Sequence, residues 1–139
     1  MVRSMPYKSE LAFKTVLLVD DLDPLRQMVR DFLVPLGLIV VEAPNGEKAI
    51  HTALTFPSRI DLLLTDIVMP GMSGFEVARR LAEVNPEIKI VYMSSGMTQK
   101  QWSETPGVQP DSFFLQKPFR LKDLEALISS LFGRYQQIH

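Results

Sequence analysis

Short apolar runs alternate along the chain with longer segments in which apolar residues recur every three or four positions. A short continuous run is typical of a strand buried on both faces of a parallel sheet, and the wider spacing is typical of an amphipathic helix. The first run covers residues 15–19 and ends in two aspartates. Four further runs predict strands at residues 38–42, 60–65, 88–93 and 112–116.

A helical pattern follows the first run. Its apolar positions are Leu25, Met28, Val29, Phe32, Leu33 and Leu36. Asp23 is suited to cap the N-terminus and Pro24 to occupy the first helical position. Gly37 is a plausible end of the helix, and Pro35 should shorten or kink the last turn.

Four more helices are predicted after the later strands. The second covers residues 45–56. Ser73 and Glu76 have the spacing of a capping box at the start of the third helix. A fourth helix at 97–104 must be short, because two prolines and a glycine follow it. The last helix uses Leu124, Leu127, Ile128, Leu131 and Phe132, with Gly133 beyond them.

Five strands that alternate with five helices predict an α/β domain with a parallel sheet and helices on both faces. In such a fold, ligands bind outside the carboxyl ends of the strands, near the point where the strand order reverses. The residues at those ends are therefore the candidates for function.

Size and composition narrow the class of protein. A chain of 139 residues with 46% hydrophobic and 22% charged residues fits one ordinary globular domain. We expect a flexible lead-in at 1–13, the domain at 14–133 and a tail at 134–139. The net charge of −1 gives no sign of binding to nucleic acid or to an anionic membrane. There are no cysteines and no apolar run long enough to span a bilayer, so we expect a cytoplasmic protein.

Chemically active side chains recur at the predicted strand ends. They are Asp20 and Asp21, Asp66, Ser94 and Ser95, and Lys117. In a parallel sheet these side chains project from one edge. Carboxylates placed close together repel one another, and a hard cation such as Mg²⁺ relieves that repulsion. One carboxylate can then attack phosphorus and form an aspartyl-phosphate.

Three segments together resemble the receiver domains of two-component response regulators. They are residues 19–21, 65–74 and 115–119, within a resemblance that covers about 14–131. It implies the flavodoxin-like, doubly wound five-stranded sheet with strand order 2-1-3-4-5. It also implies a phosphoacceptor switch that receives its phosphoryl group from a sensor histidine kinase or a phosphotransfer histidine.

The resemblance assigns a role to each matching position. It makes Asp66 the phosphoacceptor and, with Asp21 and the backbone carbonyl of Val68, a direct Mg²⁺ ligand. Asp20 would act largely through water. Lys117 would contact the phosphoryl group and precede a cis peptide to Pro118. Phe114 falls at the aromatic switch position.

The switch hydroxyl has two candidates. Counting forward from Asp66 favours Ser94, and counting back from Lys117 favours Ser95. We prefer Ser94, because a strand register is harder to shift than a loop is to lengthen.

The partner and the class of activity follow from the same resemblance. Residues 93–98, 107–110 and 114–119 look like receivers attached to hybrid sensor histidine kinases, although a freestanding receiver would have the same length. A downstream protein would read the face of the fourth and fifth strands. There Trp102 either covers the switch face or, as we favour, packs locally. The competing hypothesis is a hydrolytic enzyme that forms an aspartyl-phosphate. The segment 21–23 resembles the Asp-x-Asp of haloacid-dehalogenase phosphatases, but Pro24 departs from that pattern.

Overall fold

Five parallel strands form a single sheet at the centre of the fold. The computed structural model describes residues 11–132, so the predicted tail and most of the predicted lead-in lie outside the described residues. The strands are β1 Thr15–Val19, β2 Ile39–Ala43, β3 Leu62–Asp66, β4 Lys89–Ser94 and β5 Phe113–Gln116. Their order is β2-β1-β3-β4-β5, and every neighbouring pair is parallel. The predicted doubly wound, flavodoxin-like fold is confirmed.

Helices connect the strands as the hydrophobic spacing predicted. They are α1 Asp23–Leu33, α2 Gly46–Thr55, α3 Gly74–Val84, α4 Gln99–Ser103 and α5 Leu121–Leu131, with a short 3-10 turn at Val34–Leu36. Gly37 closes that turn with a left-handed φ of 98°. Among the described residues, no helix is long and apolar enough to cross a membrane.

Alternate residues of each central strand enter different cores. Leu17, Leu63 and Tyr92 belong to the core beneath α2 and α3, whereas Leu18 and Leu64 belong to the core beneath α1 and α5. Because both faces of the sheet are covered, a strand must be apolar at every position, which explains the continuous runs in the sequence.

The start of α1 differs from the prediction. Asp23 is the first helical residue, and Leu22 occupies the N-cap position without a side-chain hydrogen bond. The Asp20 carboxylate instead accepts a hydrogen bond from the backbone N–H of Leu22 at 3.0 Å. The carboxylate of Asp23 turns to Arg26, at 2.8 Å. The preceding loop is thus held by Asp20, and the predicted cap at Asp23 is wrong.

The starts of α2, α3 and α4 have side-chain caps, whereas α5 has none. Ser73 Oγ accepts a hydrogen bond from the N–H of Glu76, as predicted. The Glu76 carboxylate pairs with Arg79 and Arg80 along the exposed side of α3. A reciprocal capping box does occur at α4, between Thr98 and Gln101, where the prediction had not placed one.

Residues 11–13 lie against the domain. Leu11 is buried in the core beneath α1 and α5. The backbone N–H of Phe13 donates to the carbonyl of Gly37 at 2.9 Å. This part of the predicted lead-in therefore has fixed contacts, which an aperiodic stretch of sequence did not indicate.

Candidate functional site

Three carboxylates meet at the carboxyl edge of the sheet, where β1 and β3 end. The two strands pair through Val19 and Thr65, so the residues that follow, Asp20 and Asp66, are neighbours. Asp20 is 1% exposed and Asp66 is 7% exposed, while Asp21 is half-buried. Ligand oxygens of the three side chains lie within 4.8 Å of one another. Oxygen atoms this close suit a hard divalent cation.

Lys117 reaches into the acidic cluster from the end of β5. Its Nζ donates to Oδ2 of Asp20 at 3.0 Å and to Oδ2 of Asp66 at 3.3 Å. Its backbone N–H donates to the carbonyl of Ser94 at 2.9 Å, and its peptide bond to Pro118 is cis. The ammonium group is thus held between two carboxylates and largely shielded from water.

The electrostatics of the cluster centre on Asp66. Burial raises the pKa of the Asp66 carboxyl, the Lys117 ammonium lowers it, and the charges of Asp20 and Asp21 raise it again. The net direction is upward, because one lysine does not offset desolvation together with two like charges. A divalent cation would favour the ionised form, so this donor set fits a metal such as Mg²⁺.

Both candidate serines line the cavity above these carboxylates, together with Asp66 and Lys117. Ser94 ends β4 and is buried, and its Oγ accepts a hydrogen bond from the N–H of Gly96 at 3.1 Å. Ser95 is exposed in the following loop. Since both serines border the cavity, the preference for Ser94 stays a prediction.

Val68 lies at the mouth of the same cavity and is 65% exposed. Its side chain offers no hydrogen-bond donor or acceptor. An exposed apolar side chain therefore borders the cavity that Asp21 and Asp66 also line.

Phe114 lies away from the acidic cluster, on β5. It is buried and stacks on Trp102 of α4, with ring centroids 5.6 Å apart and an angle of 17° between the rings. Trp102 also contacts Tyr92 of β4, at a centroid distance of 6.3 Å. Trp102 thus packs locally, as we favoured, and its ring lies against Phe114.

Gly74 is a residue of the site that the sequence reasoning did not single out. A Cβ atom at this position would lie 2.1 Å from the carbonyl oxygen of Asp66, a separation that real atoms do not adopt. The N–H of Gly74 donates to the carbonyl of Ile67 at 2.8 Å. Only glycine lets α3 begin so close to the end of β3. Its place in the motif 65–74 was the available signal.

Arg26 is a second residue that the sequence did not indicate. Its guanidinium is buried, and Nη1 donates to the backbone carbonyl of Asp20 at 2.8 Å. It also pairs with Glu42 of β2. An arginine in an amphipathic helix normally lies at the surface, so only the three-dimensional structure reveals this contact.

Comparison with known proteins agrees with this geometry. The family model described as the response regulator receiver domain matches residues 16–129. The response regulator receiver protein CpdR of Brucella abortus is 36% identical over 111 residues, which cover 80% of this chain and 90% of that protein. The sensor kinase CckA of the same organism is 32% identical over 117 residues, which cover 84% of this chain and 12% of the kinase.

A solved structure is similar over nearly the same region. The response regulator protein TrrA from Thermotoga maritima, in complex with Mg²⁺-BeF, has a TM-score of 0.74 and 28% sequence identity, covering 86% of this chain and 99% of that one. The family match spans most of the chain, and we conclude that this protein belongs to the response regulator receiver domain family.

Proposed function

We propose that this chain is a phosphoryl-accepting signalling switch in which Asp66 receives the phosphoryl group from a phosphohistidine. The observation that carries the proposal is the position of the Asp66 carboxylate, which lies between two further aspartates and Lys117 at one edge of the sheet. Family membership supports the general role. The donor would be a sensor histidine kinase or a histidine phosphotransfer domain.

Mg²⁺ is the cation that we propose for the cluster. Asp21, Asp66 and the backbone carbonyl of Val68 would hold it, with Asp20 acting through water. The support is the close set of carboxylate oxygens and the raised pKa of Asp66. When bound, the ion would neutralise phosphoryl oxygens and relieve the repulsion among the carboxylates.

The transfer step requires little of the protein beyond positioning. A carboxylate oxygen of Asp66 attacks phosphorus, the P–N bond to the donor imidazole breaks, and its electron pair stays on the imidazole nitrogen. Lys117 is placed to donate to a phosphoryl oxygen, since its ammonium already contacts Asp66. The hydroxyl of Ser94, or alternatively of Ser95, would donate to another oxygen.

The switch would follow from that new hydrogen bond. If the serine moves toward the phosphoryl group, the end of β4 and the neighbouring Phe114 can change packing. Phe114 is stacked on Trp102, so the change would reach α4 and the face of β4 and β5. A downstream protein would bind the altered face.

The proposed role is that of a switch and not of a turnover enzyme. We place it in the cytoplasm, without binding to nucleic acid or membrane. The similarity to both CpdR and CckA is compatible with a freestanding regulator and with the receiver of a hybrid kinase. A phosphatase would cycle substrate rapidly, whereas a switch holds its phosphoryl group for seconds to hours.

The direct test is to locate the phosphoryl group by mass spectrometry after incubation with acetyl phosphate and Mg²⁺. We expect one acyl phosphate in the wild type and none in Asp66→Asn. Asp111→Asn is a matched control, because Asp111 is exposed near the opposite edge of the sheet. An adduct of full occupancy in Asp66→Asn would refute the assignment.

A further inference from the structure

Arg26 is a buried cation that joins three parts of the fold. Its side chain is 11% exposed. Nη1 donates to the backbone carbonyl of Asp20 at 2.8 Å and lies 2.8 Å from Oδ1 of Asp23. Nε donates to Oε1 of Glu42 at 3.0 Å. One guanidinium therefore ties helix α1 to strand β2 and to the loop that follows β1.

The burial of this charge is compensated by its partners. Desolvation opposes the charge on Arg26, but the hydrogen bonds to Glu42 and Asp23 outweigh it and hold the pKa above its usual range. A buried arginine that lost one of these partners would be costly, so the three contacts constrain one another. The planar guanidinium also fixes the directions of its donors, which a flexible ammonium does not.

The contact with Asp20 bears on the proposed metal site through the peptide plane. The carbonyl of Asp20 and the N–H of Asp21 belong to one planar unit. Because the Asp20 carbonyl is held, the orientation of the peptide bond to Asp21 is restrained, and with it the start of that residue. The Asp20 carboxylate reinforces the loop by accepting from the N–H of Leu22.

We propose that Arg26 is a positioning residue for the divalent-cation site, fixing the peptide between Asp20 and Asp21 with Glu42 of β2 as its anchor. The inference rests on the proposed function, in which these aspartates serve a bound cation. Arg26 touches neither the cation nor the phosphoryl group and acts through the loop.

The direction in which Mg²⁺ affinity changes when Arg26 is replaced distinguishes a positioning role from a purely electrostatic one. Arg26 carries a positive charge close to a site for a positive ion. If only its charge mattered, its neutralisation would strengthen Mg²⁺ binding. Positioning predicts the opposite, because a loop that is free to move must be ordered when the metal binds.

Arg30 provides a matched control on the same helix. Its Nη1 donates to Oε2 of Glu42 at 2.8 Å, and it also pairs with Asp31. Arg30 thus shares the anchor with Arg26, but these contacts do not involve the loop after β1. Removal of Arg30 disturbs Glu42 while leaving the carbonyl of Asp20 held.

The test measures Mg²⁺ affinity by titration calorimetry in the wild type, Arg26→Met, Arg26→Lys and Arg30→Met. We expect Arg26→Met to bind at least about tenfold more weakly, the range usual for groups that orient metal ligands. Arg30→Met should stay within about twofold of the wild type, because its contacts with Glu42 and Asp31 do not hold the carbonyl of Asp20. The amide signals of Asp21 and Leu22 in metal-free NMR spectra should shift in Arg26→Met and not in Arg30→Met.

Arg26→Lys keeps the charge but cannot make the three directed contacts, so it should also bind Mg²⁺ more weakly. If Arg26→Met fails to fold, this variant decides the question. A folded Arg26→Met or Arg26→Lys that binds Mg²⁺ as tightly as the wild type overturns the inference and leaves the proposed function intact. A wild type that does not bind Mg²⁺ overturns both.

Discussion

The two edges of the sheet carry similar charged residues in different surroundings. At the amino edge, where the parallel strands begin, Arg59 pairs with Glu87 at 3.2 Å. These side chains are 58% and 75% exposed. Water screens such a pair, which contributes between zero and about 1 kcal/mol. At the carboxyl edge, Asp20, Asp66 and Lys117 are almost excluded from water.

Burial, more than the number of charges, distinguishes the proposed functional edge from the other one. The exposed pairs can be broken at little cost. The carboxylates of Asp20 and Asp66 carry two negative charges, and the single lysine between them carries one positive charge. Burial also raises the pKa of Asp66. An excess of buried negative charge is unfavourable unless a cation joins it. We therefore expect the carboxyl edge to bind a cation, and variants at the two edges test that contrast.

The largest effect is expected where the backbone packs against the carboxyl edge. Gly74→Ala places a Cβ against the carbonyl oxygen of Asp66, so α3 must move away. We expect a loss of about 2–3 kcal/mol in the free energy of unfolding, as for other overpacked sites, measured by urea denaturation. In Gly96→Ala the new Cβ would meet only Ser94 Oγ at 3.9 Å, so this control should change by less than about 0.5 kcal/mol. Equal losses in the two variants would contradict the steric argument.

The second prediction compares two acidic residues of the carboxyl edge. Asp21→Ala should weaken Mg²⁺ binding at least about tenfold and clearly more than Asp20→Ala, because we propose Asp21 as a direct ligand and Asp20 as a residue that acts through water. Glu87→Ala, at the amino edge, should leave the affinity unchanged. Titration calorimetry measures all three. Equal weakening in the two aspartate variants would disprove the assigned roles.

A pH series tests the same edge without changing the sequence. Because the pKa of Asp66 is raised, protons compete with Mg²⁺ for the carboxylate as the pH falls toward that pKa. Below it, the affinity should fall by up to about tenfold per pH unit. In the metal-free protein, the contribution of Asp66 to stability should change in the opposite direction. The native state binds the proton more tightly than the unfolded state, so this contribution grows as the pH falls through the native pKa.

The control for the pH series is Asp66→Asn, which removes the titrating group. Its Mg²⁺ affinity should be weaker and should depend less on pH. Calorimetry between neutral pH and the onset of acid unfolding makes the comparison. The same pH slope in both proteins would assign the titration to another residue.

The smallest effect is expected at the mouth of the cavity. In the family that the sequence resembles, polar side chains two residues after the phosphoacceptor and two after the switch hydroxyl help to position the attacking water. Val68, and Gly96 if Ser94 is the switch hydroxyl, stand at these places and cannot hold a water behind phosphorus through their side chains. We therefore expect a long-lived phospho-form. Val68→Asn should speed the loss of label in Mg²⁺ by a few-fold, on the order expected for a weakly positioned water. A wild-type protein that loses its phosphoryl group within a few seconds would show that these positions do not control hydrolysis. So would a Val68→Asn variant that loses it at the wild-type rate.

The sequence by itself determined the elements and the main members of the site. Continuous apolar runs specify strands covered on both faces, and that requirement leads to a parallel sheet with helices on each side. In a parallel sheet all carboxyl ends share one edge. Asp20, Asp66 and Lys117 could therefore be placed together from their positions along the chain alone.

Local signals were less reliable where two chemistries competed for one residue. Asp23 has a good capping side chain, but it lies three residues before Arg26 and pairs with it, while Asp20 holds the loop. The loop contact that does form joins Asp20 and Leu22, which are also close in sequence. The prediction failed because it treated the cap in isolation from the ion pair.

Only the tertiary structure decided the contacts that support the site. Arg26 meets Glu42 because α1 packs beside β2, and Gly74 meets Asp66 because α3 begins beside the end of β3. Leu11 is buried because the chain before β1 returns to the core beneath α1 and α5. Such contacts depend on how loops close and how helices pack. Apolar periodicity records which face of an element is buried, but it does not record which residue of a distant element will lie against it.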